Sequence, residues 1–296
     1  MALTPPADAI ARAEALGLQA RAIVEGLRLG DHRSPNRGYS VEFVQHREYV
    51  PGDDLRHIDW KVYGRQERYI IKQYQQETNF IGRLVVDVSR SMLYGDGALN
   101  KLAYAKLLAA SLAHVIIQQG DACSLDLFDD AWRQRIPPSS QPAQIRTILL
   151  ALELVEPVAK TSMATLLEEL AESTRRRSLF FLISDCFDQP ASLLRALQHL
   201  RVRRHEVSLL HILHPEEVDF PFEGHIRFDG LEDNSQFLTR PELLRSAYKR
   251  AMRKFQTELR QGAEAQKVDY VECLTSQPLA QLLGSWLARR TRLKRM

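Results

Sequence analysis

Apolar positions along this chain fall into two regimes. From Arg83 onward, short runs of consecutive apolar residues alternate with longer stretches of helical spacing. The runs Leu84 to Val88, Cys123 to Phe128, Leu179 to Ile183, Glu206 to Ile212 and Asp269 to Glu272 read as strands. A further short strand, Trp132 to Ile136, follows a turn at Asp129-Asp130. The intervening spacing predicts helices at Lys101 to Gln118, Pro142 to Leu152, Met163 to Arg175, Ala191 to Leu200, Pro241 to Ala265 and Pro278 to Arg290, with Gly120 closing the first. A strand that is apolar at every position must be covered on both faces. The alternation therefore predicts an α/β, doubly wound, mostly parallel sheet with helices on both sides.

The first part of the chain differs. Residues 7 to 29 carry helical spacing (Ile10, Leu16, Ile23, Leu27), and Gly30 is placed to end that helix. Residues 30 to 79 mix Gly, Pro, Asp and Arg with short alternating pieces at Ser40 to Phe43, Arg47 to Val50 and Tyr69 to Tyr74. The expected division is 1–79, an N-terminal helix with a small β-rich module, and 80–296, the α/β domain. No repeat or low-complexity tract interrupts either part.

Bulk properties narrow the function more than they define it. The 296 residues are 45% hydrophobic and 26% charged, which is ordinary for a globular chain with a full core. Forty basic against 37 acidic residues leave a net charge of +3, too balanced to demand nucleic acid. Cys123, Cys186 and Cys273 are widely spaced and odd in number, so neither a zinc site nor a disulfide framework is expected. With no secretory leader at the start and no apolar segment long enough to span a bilayer, the expected location is cytoplasmic.

The sharpest chemistry lies at the end of the first apolar run, in Asp87-Val88-Ser89-Arg90-Ser91. One carboxylate and two hydroxyls, spaced two apart at a strand's carboxyl end, suit a hard cation such as Mg²⁺. By ordinary amino-acid usage the pattern Asp-x-Ser-x-Ser occurs by chance about once in fifteen chains of this length. Ser89 and Ser91 by themselves also fit turn residues. Two further loops emerge on the same expected sheet edge. Lys160-Thr161-Ser162 precedes a helix, where Thr161 or Ser162 also fits an N-cap, and Ser184-Asp185 ends another continuous strand.

With these residues in order, the chain resembles the von Willebrand factor A fold and its metal-ion-dependent adhesion site. The resemblance implies Asp87, Ser89, Ser91, Thr161 and Asp185 as the metal site, filled by Mg²⁺ or Mn²⁺. It further implies hydroxyls contacting the metal, at least one Asp acting through water, and an open position for a partner's carboxylate. Many such domains carry Gly-Gly-Thr where this chain has Ala159-Lys160-Thr161, which leaves Thr161 and Ser162 both open as the ligand.

A second constellation precedes the first. The segment Tyr49 to Trp60 contains Pro51-Gly52-Asp53-Asp54 and Arg56-His57-Ile58-Asp59-Trp60. Its acids, arginines and His57 fit an internal ionic cluster. Alternatively Asp53, Asp54, His57 and Asp59 form a second metal or hydrolytic site. This string strongly resembles the bacterial family called domain of unknown function 58. Further matches are Arg33-Ser34 with Gly38, Glu42-Phe43, the helix from Lys101 and Asp219-Phe220-Pro221-Phe222. That resemblance implies association with MoxR-type AAA+ ATPases in chaperone-like assembly or activation of other proteins.

The expected function is a non-enzymatic, metal-dependent protein-interaction module whose partner is a MoxR-type AAA+ ATPase or its client. The alternative is a metal-dependent phosphatase or nuclease using Asp87, Asp185 and the Asp53/His57/Asp59 cluster. No nucleophile or general base accompanies the five metal-site residues, and no P-loop motif is present. The basic runs at Arg175 to Arg177, Arg201 to His205 and Arg289 to Arg295 read as solvated helix ends. His211 and His214 read as hydrogen-bonding residues, and Trp60, Trp132 and Trp286 as core or interface anchors.

Overall fold

The computed structural model describes residues 6–28, 41–48, 60–66, 69–76, 81–157, 163–231 and 235–293. They belong to two compact units, one of residues 34–80 and one that joins residues 1–33 to residues 81–296.

In the smaller unit, β1 (Val41–Glu48) pairs antiparallel with β2 (Ile70–Gln76), and α2 (Trp60–Gln66) lies between them in sequence. The sequence suggests two short pieces where β1 is one strand. The register shifts between Phe43 and Gln45, so one extra residue breaks the two-residue alternation without ending the pairing. Tyr63 stacks on Tyr69, with ring centroids 4.6 Å apart, and Trp60 meets Tyr63 edge-on while remaining exposed, so it is not a core anchor.

The larger unit is built on six strands: β3 (Ile81–Asp87), β4 (Ala122–Phe128), β5 (Trp132–Ser139), β6 (Leu179–Ser184), β7 (Glu206–Leu213) and β10 (Asp269–Leu274). Their order across the sheet is β10-β7-β6-β3-β4-β5. All neighbours are parallel except β4 and β5, which form an antiparallel edge. Counted along the chain this is the doubly wound order 3-2-1-4-5-6, with the topological switch between β3 and β6. A parallel pair needs a crossover, whereas β4 and β5 are joined by the tight Asp129-Asp130 turn, which makes β5 the antiparallel exception.

Alternation along the strands divides the core. Val85, Phe180 and Leu182 pack with Met163, Leu167, Leu170, Leu193, Leu197 and Leu259, from helices α5 (Met163–Ser173), α6 (Pro190–Val202) and α8 (Pro241–Ala265). On the other face α3 (Lys101–Gln118) lies against the central strands, and α4 (Ala143–Leu154) lies against β4 and β5. Phe181 of β6 meets Trp286 of α9 (Leu279–Leu293) at 5.6 Å on that side. Gly82 permits the approach of α3, because a Cβ there would stand 2.5 Å from Ile116 Cδ1. Helix α1 (Ala7–Arg28) packs on α3, α4 and α9. It therefore belongs to the α/β body, where the sequence groups it with the small module; its apolar stripe is satisfied by helices far along the chain.

Two features lie outside the sequence expectation. A short helix, α7 (Pro215–Asp219), follows β7, and β8 (Ile226–Asp229) pairs antiparallel with β9 (Gln236–Thr239). Both fall in a turn-rich stretch whose elements are too short to carry a periodic signal. Among the described residues, no helix is long and apolar enough to cross a membrane.

Candidate functional site

The carboxyl ends of β3 and β6 flank the topological switch, where doubly wound sheets open a crevice. Asp87 is the last residue of β3 and is fully buried. Its Oδ1 accepts the Ser89 N–H at 2.9 Å, which curls the chain out of the strand. Ser91 sits in a single 3₁₀ turn, Arg90–Leu93, and its hydroxyl lies 3.0 Å from that of Ser89, one donating to the other. The two-residue spacing therefore does what the sequence suggests: Asp87, Ser89 and Ser91 converge.

Asp185 follows β6 and is also fully buried. Ser184, the last residue of β6, donates from its hydroxyl to Asp87 Oδ2 at 2.6 Å and accepts the Cys186 N–H at 2.9 Å. Cys186 takes a left-handed backbone conformation, φ 58°, which is uncommon for a side chain with a Cβ and marks local strain. The turn brings the Phe187 N–H to Asp185 Oδ1 at 3.3 Å. Ser184 thus ties the two strand ends together, a role hidden in the sequence, where it reads only as the residue before an Asp.

The side chain that sequence reasoning missed altogether is Lys101. It opens α3, is fully buried, and places Nζ 2.8 Å from Asp185 Oδ2 and 2.7 Å from Glu217 Oε1. One signal was available: a lysine in the first turn of a helix opposes the helix dipole, so something else must hold it there. Burial by itself would depress this ammonium, but Asp185 and Glu217 outweigh that and raise it above its ordinary value.

Burial, reinforced by the neighbouring Asp185 carboxylate, pushes Asp87 up to about 7, against the hydrogen bonds from Ser184 and Ser89. Beneath the site His211 is fully buried, with Nδ1 2.7 Å from the Tyr270 hydroxyl and Nε2 2.9 Å from the Asp185 carbonyl. Burial drives its imidazole down to about 4 despite Asp185, so it is neutral at pH 7. His214 caps α7, accepting the Glu216 N–H, while Glu217 accepts the His214 N–H. Both histidines are hydrogen-bonding residues. Trp132 and Trp286 each donate to a carboxylate, Glu169 and Asp269 respectively.

Asp87, Ser89 and Ser91 are therefore brought together at the end of β3, with Asp185 next to Ser184, which binds Asp87 from the end of the neighbouring β6. Thr161 and Ser162 lie outside the described residues, as do Asp53, Asp54, His57 and Asp59. Among the described residues no group of three His, Cys, Asp or Glu side chains stands together as a metal cage. The donor set at the switch point is different in kind: two buried carboxylates with the hydroxyls of Ser89 and Ser91 beside them. An all-oxygen, hydroxyl-rich set of this charge fits a hard divalent cation such as Mg²⁺ or Mn²⁺.

The sheet order and the helices on both faces make this a doubly wound α/β protein. A family model described as "Protein of unknown function DUF58" matches residues 45–258, and the chain belongs to that family. Uncharacterised proteins of Mycobacterium tuberculosis and Mycobacterium bovis are each 28% identical over 221 residues, covering 73% of this chain and 69% of theirs. Among solved structures, an aerotolerance-related membrane protein from Bacteroides fragilis is similar, with TM-score 0.49 and 15% identity over 71% of this chain and 97% of that one. BatB from Bacteroides thetaiotaomicron gives TM-score 0.46 at 15% identity, covering 72% of this chain and 99% of its own. The SpRpn10 VWA domain gives 0.40 at 15%, covering 72% and 95%.

Proposed function

We propose that this chain is a non-enzymatic protein-interaction module that recognises an acidic side chain through a bound divalent cation. The observation that carries this reading is the convergence of Asp87, Ser89 and Ser91 beside Asp185, with Ser184 bridging the two strand ends. Ser89, Ser91 and either Thr161 or Ser162 would hold Mg²⁺ or Mn²⁺, with Asp87 and Asp185 in or just outside the coordination shell. The cation supplies a positive centre with an exchangeable position for a partner's carboxylate.

A binding role also fits the groups around the site. Lys101 is committed to two carboxylates, and His211 engages both ring nitrogens. Neither is poised to take a proton from a substrate.

By family resemblance the partner is a MoxR-type AAA+ ATPase or its client, in the cytoplasm. The test is recovery of that ATPase on the immobilised chain in Mg²⁺, compared with EDTA and with Asp87→Ala. Recovery is expected to require both the metal and Asp87. Equal recovery in all three conditions would overturn the reading, and phosphoester turnover lost in Asp87→Ala would replace it with the hydrolytic alternative.

A further inference from the structure

Lys101 is among the largest fully buried side chains of the described residues. A lysine gives up all water only when its charge is matched inside the protein. Here the match is unusually complete. Besides Asp185 and Glu217, the ring centroids of Phe187 and Tyr94 lie 4.9 and 5.8 Å from Nζ. Two carboxylates and two aromatic faces have replaced the hydration shell.

The consequence falls on Asp185. Its Oδ2 accepts from Lys101 and its Oδ1 from the Phe187 N–H, so the carboxylate is already engaged at both oxygens. Glu217 is likewise shared between Lys101 and the His214 N–H. A fixed positive charge thus stands one carboxylate away from the place proposed for a divalent cation. Two cations sharing a carboxylate at a buried site repel each other strongly, because little water screens them.

We propose that Lys101 is a resident cation that positions Asp185 and weakens the site's own hold on a divalent metal, so that metal binds tightly only together with a partner's carboxylate. This rests on the metal-site reading above. It makes metal and acidic partner mutually cooperative, since by linkage each raises the other's affinity by the same factor. Glu217 offsets part of the Lys101 charge and acts in the opposite sense.

The test is Mn²⁺ binding to the purified chain, read from the free-ion electron paramagnetic resonance signal, with acetate as the carboxylate probe. Lys101→Met is expected to bind Mn²⁺ at least tenfold more tightly than the parent and to lose most of the enhancement that acetate confers. Glu217→Gln is expected to bind at least threefold more weakly. Circular dichroism reports whether each variant is folded. A folded Lys101→Met with equal or weaker Mn²⁺ affinity overturns the proposal. If that variant does not fold, unchanged or tighter binding by Glu217→Gln overturns it, and weaker binding supports it. Absence of Mn²⁺ binding in the parent and both variants would sink the metal-site reading itself. Mn²⁺ binding that Asp87→Ala abolishes but Lys101→Met does not tighten would sink only the role of Lys101.

Discussion

The Ser184 hydroxyl donates to Asp87 Oδ2 at 2.6 Å across the switch between β6 and β3. The bond spans 97 residues of sequence and joins the two strand ends that carry the candidate ligands. The same oxygen accepts the Cys186 N–H, so one side chain sets both the Asp87 carboxylate and the turn that delivers Asp185.

Ser184→Ala removes both interactions. The expected loss of stability is about 1–3 kcal/mol, the cost of leaving buried polar groups unpaired. If Asp87 holds the proposed cation, Mn²⁺ affinity is expected to fall by about 10–100-fold, the usual effect of removing a group that orients a metal ligand. Urea denaturation and Mn²⁺ titration of the same sample separate the two effects.

His211 makes stability depend on pH. Its folded imidazole titrates at about 4, below the ordinary 6.5, because burial disfavours the charged ring. Between those values the unfolded chain binds the extra proton. The His211 contribution is therefore fully present above pH 6.5 and is lost as pH falls towards 4. The shift corresponds to about 3 kcal/mol. His211→Asn is expected to flatten the stability profile over that window; parallel profiles for the two proteins would count against it.

Gly82→Ala places a Cβ against Ile116, which is buried on α3. The expected cost is about 1–3 kcal/mol, as for other overpacked core positions. Ile116→Val removes the obstructing Cδ1, so the double variant is expected to recover part of the loss. A double-mutant cycle in urea measures the coupling.

Cys123, Cys186 and Cys273 are all buried, and burial raises each thiol, Cys123 to about 12. Ellman's reagent at pH 8 is expected to leave the native chain unmodified and to titrate three thiols once it is unfolded. A thiol reacting in the native state would show that its element opens.

Local pattern was enough to read most of the α/β body from sequence. Leu179 to Ile183 is apolar at every position, and the structure extends that strand by one residue, to Ser184. The ranges read for α3 and α8, Lys101–Gln118 and Pro241–Ala265, are those observed. Shorter pieces escaped. Helix α7 and the β8–β9 pair span four or five residues each, and the bulge after Phe43 disguises one strand as two. Tertiary contacts hold such elements, and a short window of residue types does not record them.

The same division runs through the site. The sequence by itself determined the doubly wound class and the meeting of Asp87, Ser89 and Ser91, because strand period and two-residue spacing are local properties; the family came from the resemblance carried by the Tyr49 to Trp60 segment. Only the tertiary structure decided that Ser184 binds Asp87 and that Lys101 is buried between Asp185 and Glu217, partners 84 and 116 residues away. It also decided that α1 belongs to the α/β body. Charge pairing and burial depend on which strands lie side by side and which helix covers them, and those neighbours exist only once the sheet has been assembled.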